Sequence, residues 1–279
     1  MPDSAPDFRP LRRRVPVGYK STIDLMTAAP ERPNGKADIL LLHGAYSNAG
    51  VWAENFLPYL ASRGFTAHAL SFRGHGASDG DREAWRFGLD DFVADARAAL
   101  KLIDRPTILV GHSLGGLVAQ LCVPAKLVVG LYLMATVPPD GLMAVNWSVA
   151  AFDPLLWGEA ALATMDKPLG PDSPLQRALF SADMPHEDVV RFASKLESPP
   201  NRAILDAHQP RFVHSARLGG PRTFVLGAGR DRLIPRDAIW RTAFYHGGDY
   251  KILPDIAHAL MLDVRWRSAA DALVEWAAG

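Results

Sequence analysis

The sequence has almost no sulfur with which to cross-link itself. Cys122 is its only cysteine, which excludes an intrachain disulfide and gives no reason to expect an oxidising compartment. Net charge is missing as well, because 30 Lys and Arg balance 30 Asp and Glu. Without a net field the chain lacks the attraction for phosphate on which general nucleic-acid binding rests. The arginines are scattered among acids, apart from the short Arg12-Arg13-Arg14 run. Long apolar runs are also absent. Stretches such as 39–42 and 127–136 have the length of buried strands, well short of the roughly 20 residues that cross a bilayer. The opening, MPDSAPDFRPLRRRVPV, contains no apolar core of a signal peptide. These absences lead to the expectation of a soluble cytoplasmic protein, with no nucleic-acid partner and no stable membrane insertion. They leave the oligomeric state open.

What the chain does have is apolar content. Hydrophobic residues make up 48% of its 279 positions, enough to bury a large core without disulfides or metals and too many for a disordered chain. The tail to about Pro10 is proline-rich and aperiodic, and reads as loosely ordered. Short strands at 14–17 and 22–26 flank a turn at Gly18-Tyr19. From there strands and helices alternate. Residues 37–43 (ADILLLH) form a continuous apolar run, as in a strand buried on both faces. A helix is expected over 49–63, a strand over 65–71, a helix over 89–103 and a strand over 107–110. A helix over 114–122 and a strand over 127–135 follow. This order predicts an α/β fold with a mostly parallel central sheet flanked by helices.

The rhythm breaks after Val137. Residues 138–221 hold 11 of the 22 prolines, and the helical pattern at 186–196 sits between proline-rich loops. Alternation returns with strands at 223–226 and 250–253 and an amphipathic helix at 264–278. The expected organisation is therefore a core of 1–137 and 222–279 with a helical cap inserted at 138–221.

The stretch 107–117, TILVGHSLGGL, carries the chemistry. Gly111-His112-Ser113-Leu114-Gly115 is a G-x-S-x-G sequence between an apolar strand and a helical segment. A sharp strand-to-helix turn strains the central residue, and side chains two positions to either side would clash. The turn projects the Ser113 hydroxyl into a cleft at a helix N-terminus, where unpaired N–H groups favour a developing oxyanion.

With this motif the sequence resembles the α/β-hydrolase superfamily, over nearly its whole length. Leu41-Leu42-His43-Gly44-Ala45 is similar to the family's oxyanion loop after its third strand. Ser71-Phe72-Arg73-Gly74-His75-Gly76-Ala77-Ser78 is similar to the glycine-rich turn after its fourth. Capped carboxylesterases, monoglyceride lipases and lysophospholipase-like enzymes look closest, and the HGA pattern with Trp52 is also similar to plant methylesterases and hydroxynitrile lyases.

The resemblance implies a role for each site residue. Among nine histidines, His258 stands where the family places its base, in the loop after the last strand. Asp231, in the loop after the strand at 223–226, stands where the family's aspartate points at that histidine, and the order Ser, acid, His is preserved. Asp140 is the rival acid, since some members carry it after the sixth strand. Asp255 and Asp263 lie near His258 in sequence but are poorly placed for its far ring nitrogen. The oxyanion donors implied are the backbone N–H groups of Leu114 and Ala45. Tyr46, beside that hole, and the cap residues Trp147 and Trp157 are candidates for substrate contact. Met143 and Met165 join the two tryptophans either in lining an acyl pocket or in burying the cap.

The remaining signals carry little. Gly227-Ala228-Gly229 begins like a dinucleotide fingerprint, but Arg232 stands at the third glycine's place. No phosphate-binding P-loop or zinc-ligand pattern occurs. Cys122 reads as a small buried hydrophobe. The expectation is a serine hydrolase that cleaves carboxylic esters through an acyl-enzyme, needs no metal or organic cofactor, and takes a small-molecule ester as its partner. The alternatives on the same residues are a C–C bond hydrolase, a hydroxynitrile-lyase-like enzyme or a cofactor-free haloperoxidase-like enzyme. A ligand-binding receptor that keeps the fold is the alternative of another class.

Overall fold

The structure, a computed structural model, describes residues 9–18, 21–80, 83–163 and 178–279. Residues 1–8 of the tail, Tyr19 of the first turn and Met165 lie outside that set. The strands are β1 (Leu11–Pro16), β2 (Thr22–Ala28), β3 (Asp38–Leu42), β4 (Ala67–Ser71), β5 (Thr107–His112), β6 (Val128–Met134), β7 (Arg222–Ala228) and β8 (Asp249–Leu253). They form one eight-stranded sheet in the order β1-β2-β4-β3-β5-β6-β7-β8. The pairs β1–β2 and β2–β4 are antiparallel, and every other pair is parallel.

β3 shows why the sheet is covered on both sides. All five of its residues are buried. Leu40 and Leu42 point into one core with Leu70, Leu109 and Leu117. Ile39 and Leu41 point into the opposite core with Trp52, Phe56 and Val110. A run that alternates between two apolar layers has no wet face, so the strand reads as uninterrupted leucine and isoleucine. The first layer is built with α3 (Leu89–Ile103) and α4 (Leu114–Leu121).

The other layer contains a departure from the sequence reading. The single helix expected over 49–63 is two, α1 (Gly50–Ala53) and α2 (Phe56–Ser62). Pro58 explains the break. In a continuous helix it would leave the Glu54 carbonyl without a donor and clash with it. Within the first turn of a new helix, its missing N–H is one that would go unpaired anyway. Trp52 and Phe56, on either side of the break, both enter the core, edge to face with centroids 5.4 Å apart.

Between β6 and β7 the described chain forms α5 (Leu142–Phe152), α6 (Pro154–Ala163), α7 (His186–Ala193) and α8 (Asn201–Asp206). A helix that the sequence did not suggest, α9 (Arg236–His246), connects β7 to β8. Its buried stripe mixes Ala238, Ile239 and Ala243 with Thr242 and His246. Trp240 and Phe244 stack on each other while facing solvent. Apolar residues outside and polar ones inside conceal the periodicity. α10 (Trp266–Ala278) closes the second layer. Among the described residues, no helix is long and apolar enough to cross a membrane.

Candidate active site

Ser113 sits between β5 and α4 with φ +52°, a left-handed conformation that costs a non-glycine residue about 1–3 kcal/mol. The surrounding sequence makes that turn sterically feasible. A Cβ on Gly111 would lie 2.4 Å from the Gly115 carbonyl oxygen, and one on Gly115 would lie 2.3 Å from that of His43. Gly115 thus brings the first turn of α4 against the end of β3. Hydrogen bonds hold the strained residue from both sides. Its N–H donates to Met134 O at 3.0 Å, and its carbonyl accepts from Val137 N at 3.1 Å and Gly116 N at 3.0 Å. Behind the turn, the buried Gln120 donates to Gly116 O at 3.1 Å and accepts from His246 Nε2 at 3.0 Å. Burial pushes the His246 ring down to about 4, so near neutrality it remains an uncharged donor.

A second close approach brings Asp231 to His258. A Cβ on Gly229 would lie 2.4 Å from Pro254 O. Gly229 N donates to Leu253 O at 2.7 Å, and Arg230 N donates to Ile256 O at 3.0 Å. The loops after β7 and β8 therefore run side by side. His258 Nδ1–H donates to Asp231 Oδ2 at 2.7 Å, with the two side chains only 4% and 1% exposed. The other Asp231 oxygen accepts the N–H groups of Leu233 at 2.8 Å and Ile234 at 2.9 Å. A carboxylate fixed in this way orients the ring and leaves Nε2 as the nitrogen available to a nucleophile.

The other aspartates are engaged elsewhere. Asp140 faces solvent and pairs with Arg241 at 2.9 Å, and Asp255 pairs with Arg230 at 2.8 Å. Asp263 is buried, bonded to Ser181 Oγ, to Arg265 N at 2.9 Å and to Ala257 N at 3.3 Å. It braces the loop on both sides of His258. A further brace starts from the elbow, where His112 Nε2 donates to the His258 carbonyl at 2.9 Å. Burial, with a smaller contribution from His258, drives the His112 ring down to about 3.

Ala45 follows β3 in a loop that His43 organises. His43 Nε2 accepts from Phe72 N at 3.1 Å, so the ring proton resides on Nδ1, which donates to Gly44 O at 2.8 Å. Gly44 C=O and Ala45 N–H belong to one planar peptide and point in opposite directions. Fixing the carbonyl therefore fixes the direction of the amide. Burial holds the His43 ring well below its usual pKa, which preserves that tautomer. Leu114, as the first residue of α4, has no preceding turn to receive its N–H.

Ala45, Tyr46, Ser113 and His258 line one cavity of about 500 Å³. Its apolar wall includes Val51, Leu179, Phe180, Phe192, Met261 and Leu262, with Asn48 and Glu197 among the polar residues at its edge. Tyr46 has φ +60°, packs against the small apolar cluster of Leu156 and Ala178, and keeps its phenol proton because burial raises the hydroxyl to about 12. Trp147 and Trp157 are not brought to this cavity. They lie 72% and 46% exposed on α5 and α6, and Met143 is exposed as well. The aromatics that line the cavity are Tyr46, Phe180 and Phe192. Met261 and Leu262 had a signal in their closeness to His258 in sequence. Phe180 and Phe192 had no comparable signal in the sequence. Among the described residues, no group of three or more His, Cys, Asp or Glu side chains is arranged to hold a metal ion.

A family model described as the alpha/beta hydrolase family matches residues 39–276. The chain belongs to that family. Its similarity to individual members is distant. Salicylic acid-binding protein 2 of Nicotiana tabacum is 24% identical over 212 residues, which is 71% of this chain and 80% of that protein. An esterase from Exiguobacterium antarcticum superposes with a TM-score of 0.71 at 14% identity, covering 96% of this chain and 100% of its own. The enol-lactonase of Burkholderia xenovorans LB400 superposes with a TM-score of 0.70 at 14% identity, with 96% and 100% covered. At these identities the solved structures share the hydrolase fold with this alpha/beta hydrolase.

Proposed function

We propose that the protein is a serine hydrolase of carboxylic esters with Ser113 as nucleophile, His258 as base and Asp231 as its orienting acid. One observation carries the reading: a serine in a strained, left-handed turn shares an apolar cavity with a histidine whose far nitrogen is held at 2.7 Å by a buried carboxylate. Ser113 Oγ attacks the ester carbonyl and passes its proton to His258 Nε2. The Ala45 and Leu114 amides receive the oxyanion, with each such donor worth about 3 kcal/mol in the transition state. Collapse expels the alcohol, which takes the proton from His258. Water, deprotonated by the same ring, then releases the acid.

The cavity also suggests the acyl group. At about 500 Å³ it is within the ordinary range for small-molecule sites, and its aliphatic and phenyl wall suits a medium-length or aromatic acyl chain. We read residues 138–221 as the cap that supplies much of this wall. The test is hydrolysis of p-nitrophenyl esters from acetate to palmitate by the wild type and by Ser113→Ala. The expected result is a maximum at intermediate chain length that disappears in the variant.

A second reading has one observation in its favour, namely that the tobacco relative is named for binding salicylic acid. On that reading the cavity recognises a small aromatic acid. Saturable binding of such an acid, with no Ser113-dependent ester turnover, would replace the esterase reading.

A further inference from the structure

We infer that Glu197 is a positioning residue that clamps the oxyanion loop, an inference that rests on the serine-hydrolase reading. Glu197 follows α7 in the segment between β6 and β7, and its carboxylate reaches two loops of the core. Oε1 and Oε2 accept the Gly76 N–H at 3.0 and 2.9 Å. Oε1 also accepts from Asn48 Nδ2, whose own Oδ1 receives Gly50 N–H at 2.7 Å. The Glu197 backbone N–H donates to Tyr46 O at 2.9 Å. One residue therefore joins the loop after β3, the glycine turn after β4 and the segment that walls the cavity.

The glycine turn is shaped for this contact. Gly76 has φ +57°, and a Cβ there would lie 2.8 Å from Ser71 Oγ and 3.1 Å from the Cβ of Asn48. The turn packs directly on the residue that Glu197 grips.

These bonds matter to chemistry because of what lies between them. Ala45 is held on one side by His43 through the Gly44 carbonyl and on the other by Glu197 through the Tyr46 carbonyl. Tyr46 itself occupies the left-handed region, which a tyrosine leaves when nothing holds it. Releasing the Glu197 carboxylate frees the segment, the Tyr46 carbonyl and then the Ala45 amide. Charge-assisted bonds to a carboxylate are among the stronger ones available for such a role.

Polar substitutions test the clamp with little change in volume. In Glu197→Gln, whichever way the amide turns, its NH2 meets a donor, either Gly76 N–H or Asn48 Nδ2. Asn48→Asp puts two carboxylates in contact. Combining the two substitutions lets the glutamine NH2 donate to the new carboxylate. With p-nitrophenyl butyrate, kcat is expected to fall roughly 10–100-fold in Glu197→Gln and further in Asn48→Asp, with KM within about threefold. The double variant should regain at least about tenfold over Asn48→Asp, a coupling that only interacting residues show. Affinity for a trifluoromethyl ketone analogue should fall in parallel with kcat/KM, while affinity for butyrate holds.

Three results would overturn the inference: wild-type kcat in Glu197→Gln, equal losses of analogue and butyrate affinity, or a double variant no better than Asn48→Asp. Amide exchange separates this clamp from the esterase reading. If the wild type shows no Ser113-dependent turnover, faster exchange at residues 45–48 and 76 in Glu197→Gln still supports the clamp, and unchanged exchange refutes it.

Discussion

The ends of the central strands and the helices between β6 and β7 are built in opposite ways. At the strand ends, Leu114 and His258 are 4% and 3% exposed and hydrogen bonds brace each loop. Along α5 and α6, Trp147, Phe152 and Leu155 are 72%, 88% and 76% exposed. The first region is positioned by backbone contacts so close that glycine is the only residue that fits at three or four points. The second is anchored in the two cores by residues such as Val145, Ala203 and Phe192, while large apolar side chains of α5 and α6 stay in solvent. The proposed bond-breaking groups therefore belong to the part of the molecule that tolerates least change, and the shape of the cavity belongs partly to the more permissive part.

The largest expected effect is at the strand ends. Asp231→Asn should leave the fold intact and lower kcat about 10⁴-fold, because an amide no longer selects the correct His258 tautomer. A loss under tenfold, with unchanged thermal unfolding, would mean that Asp231 is only a structural acceptor. Next is Gly115→Ala, whose new methyl would lie 2.3 Å from the His43 carbonyl oxygen. We expect it to lose about 3 kcal/mol or more in urea unfolding, since backbone on both sides must yield. A loss under 1 kcal/mol would show that the elbow has slack.

Acid should separate the regions less sharply. Burial lowers His75 and His246 to about 4 and His112 to about 3, whereas the unfolded chain protonates histidine near 6.5. The unfolded state therefore binds more protons, and stability present above about pH 6.5 is lost as pH falls toward 4. Each ring contributes about 1.4 kcal/mol per pH unit in that window. A urea midpoint that stays flat from pH 7 to 5 would contradict this. The smallest effects belong to the permissive side. Phe192→Ala, at the cavity wall, should raise KM for the preferred ester by about tenfold with kcat kept. Phe152→Ser, on the solvent face, should change stability by less than about 0.5 kcal/mol and kinetics not at all. Equal effects of the two would erase the contrast.

The same contrast explains what could be read from the sequence. β3 and the elbow were legible because their constraints are local: a strand buried on both faces is apolar throughout, and a tight turn demands glycine at fixed spacing. The split of 49–63 was also legible in principle, through Pro58. α9 was not, since its buried face carries Thr242 and His246. Phe180, Phe192 and Glu197 were out of reach for a different reason. Their positions depend on tertiary packing of residues distant in sequence, which no short-range pattern encodes. Tryptophans drew attention because they are large, yet Trp147 and Trp157 face outward.

The order in which the cavity's walls occur along the chain also governs when the site comes into being. Ala45 and Ser113 leave the ribosome early, whereas Asp231 and His258 come from loops after β7 and β8. Strand β6 pairs with β7 only after the whole intervening segment has been made, a long-range closure of the kind that folds late. A nascent chain interrupted before residue 258 thus carries the serine without the histidine proposed as its base. On the proposed mechanism, turnover switches on only when the far edge of the sheet is complete, so hydrolytic activity can serve as a clock for the last step of folding.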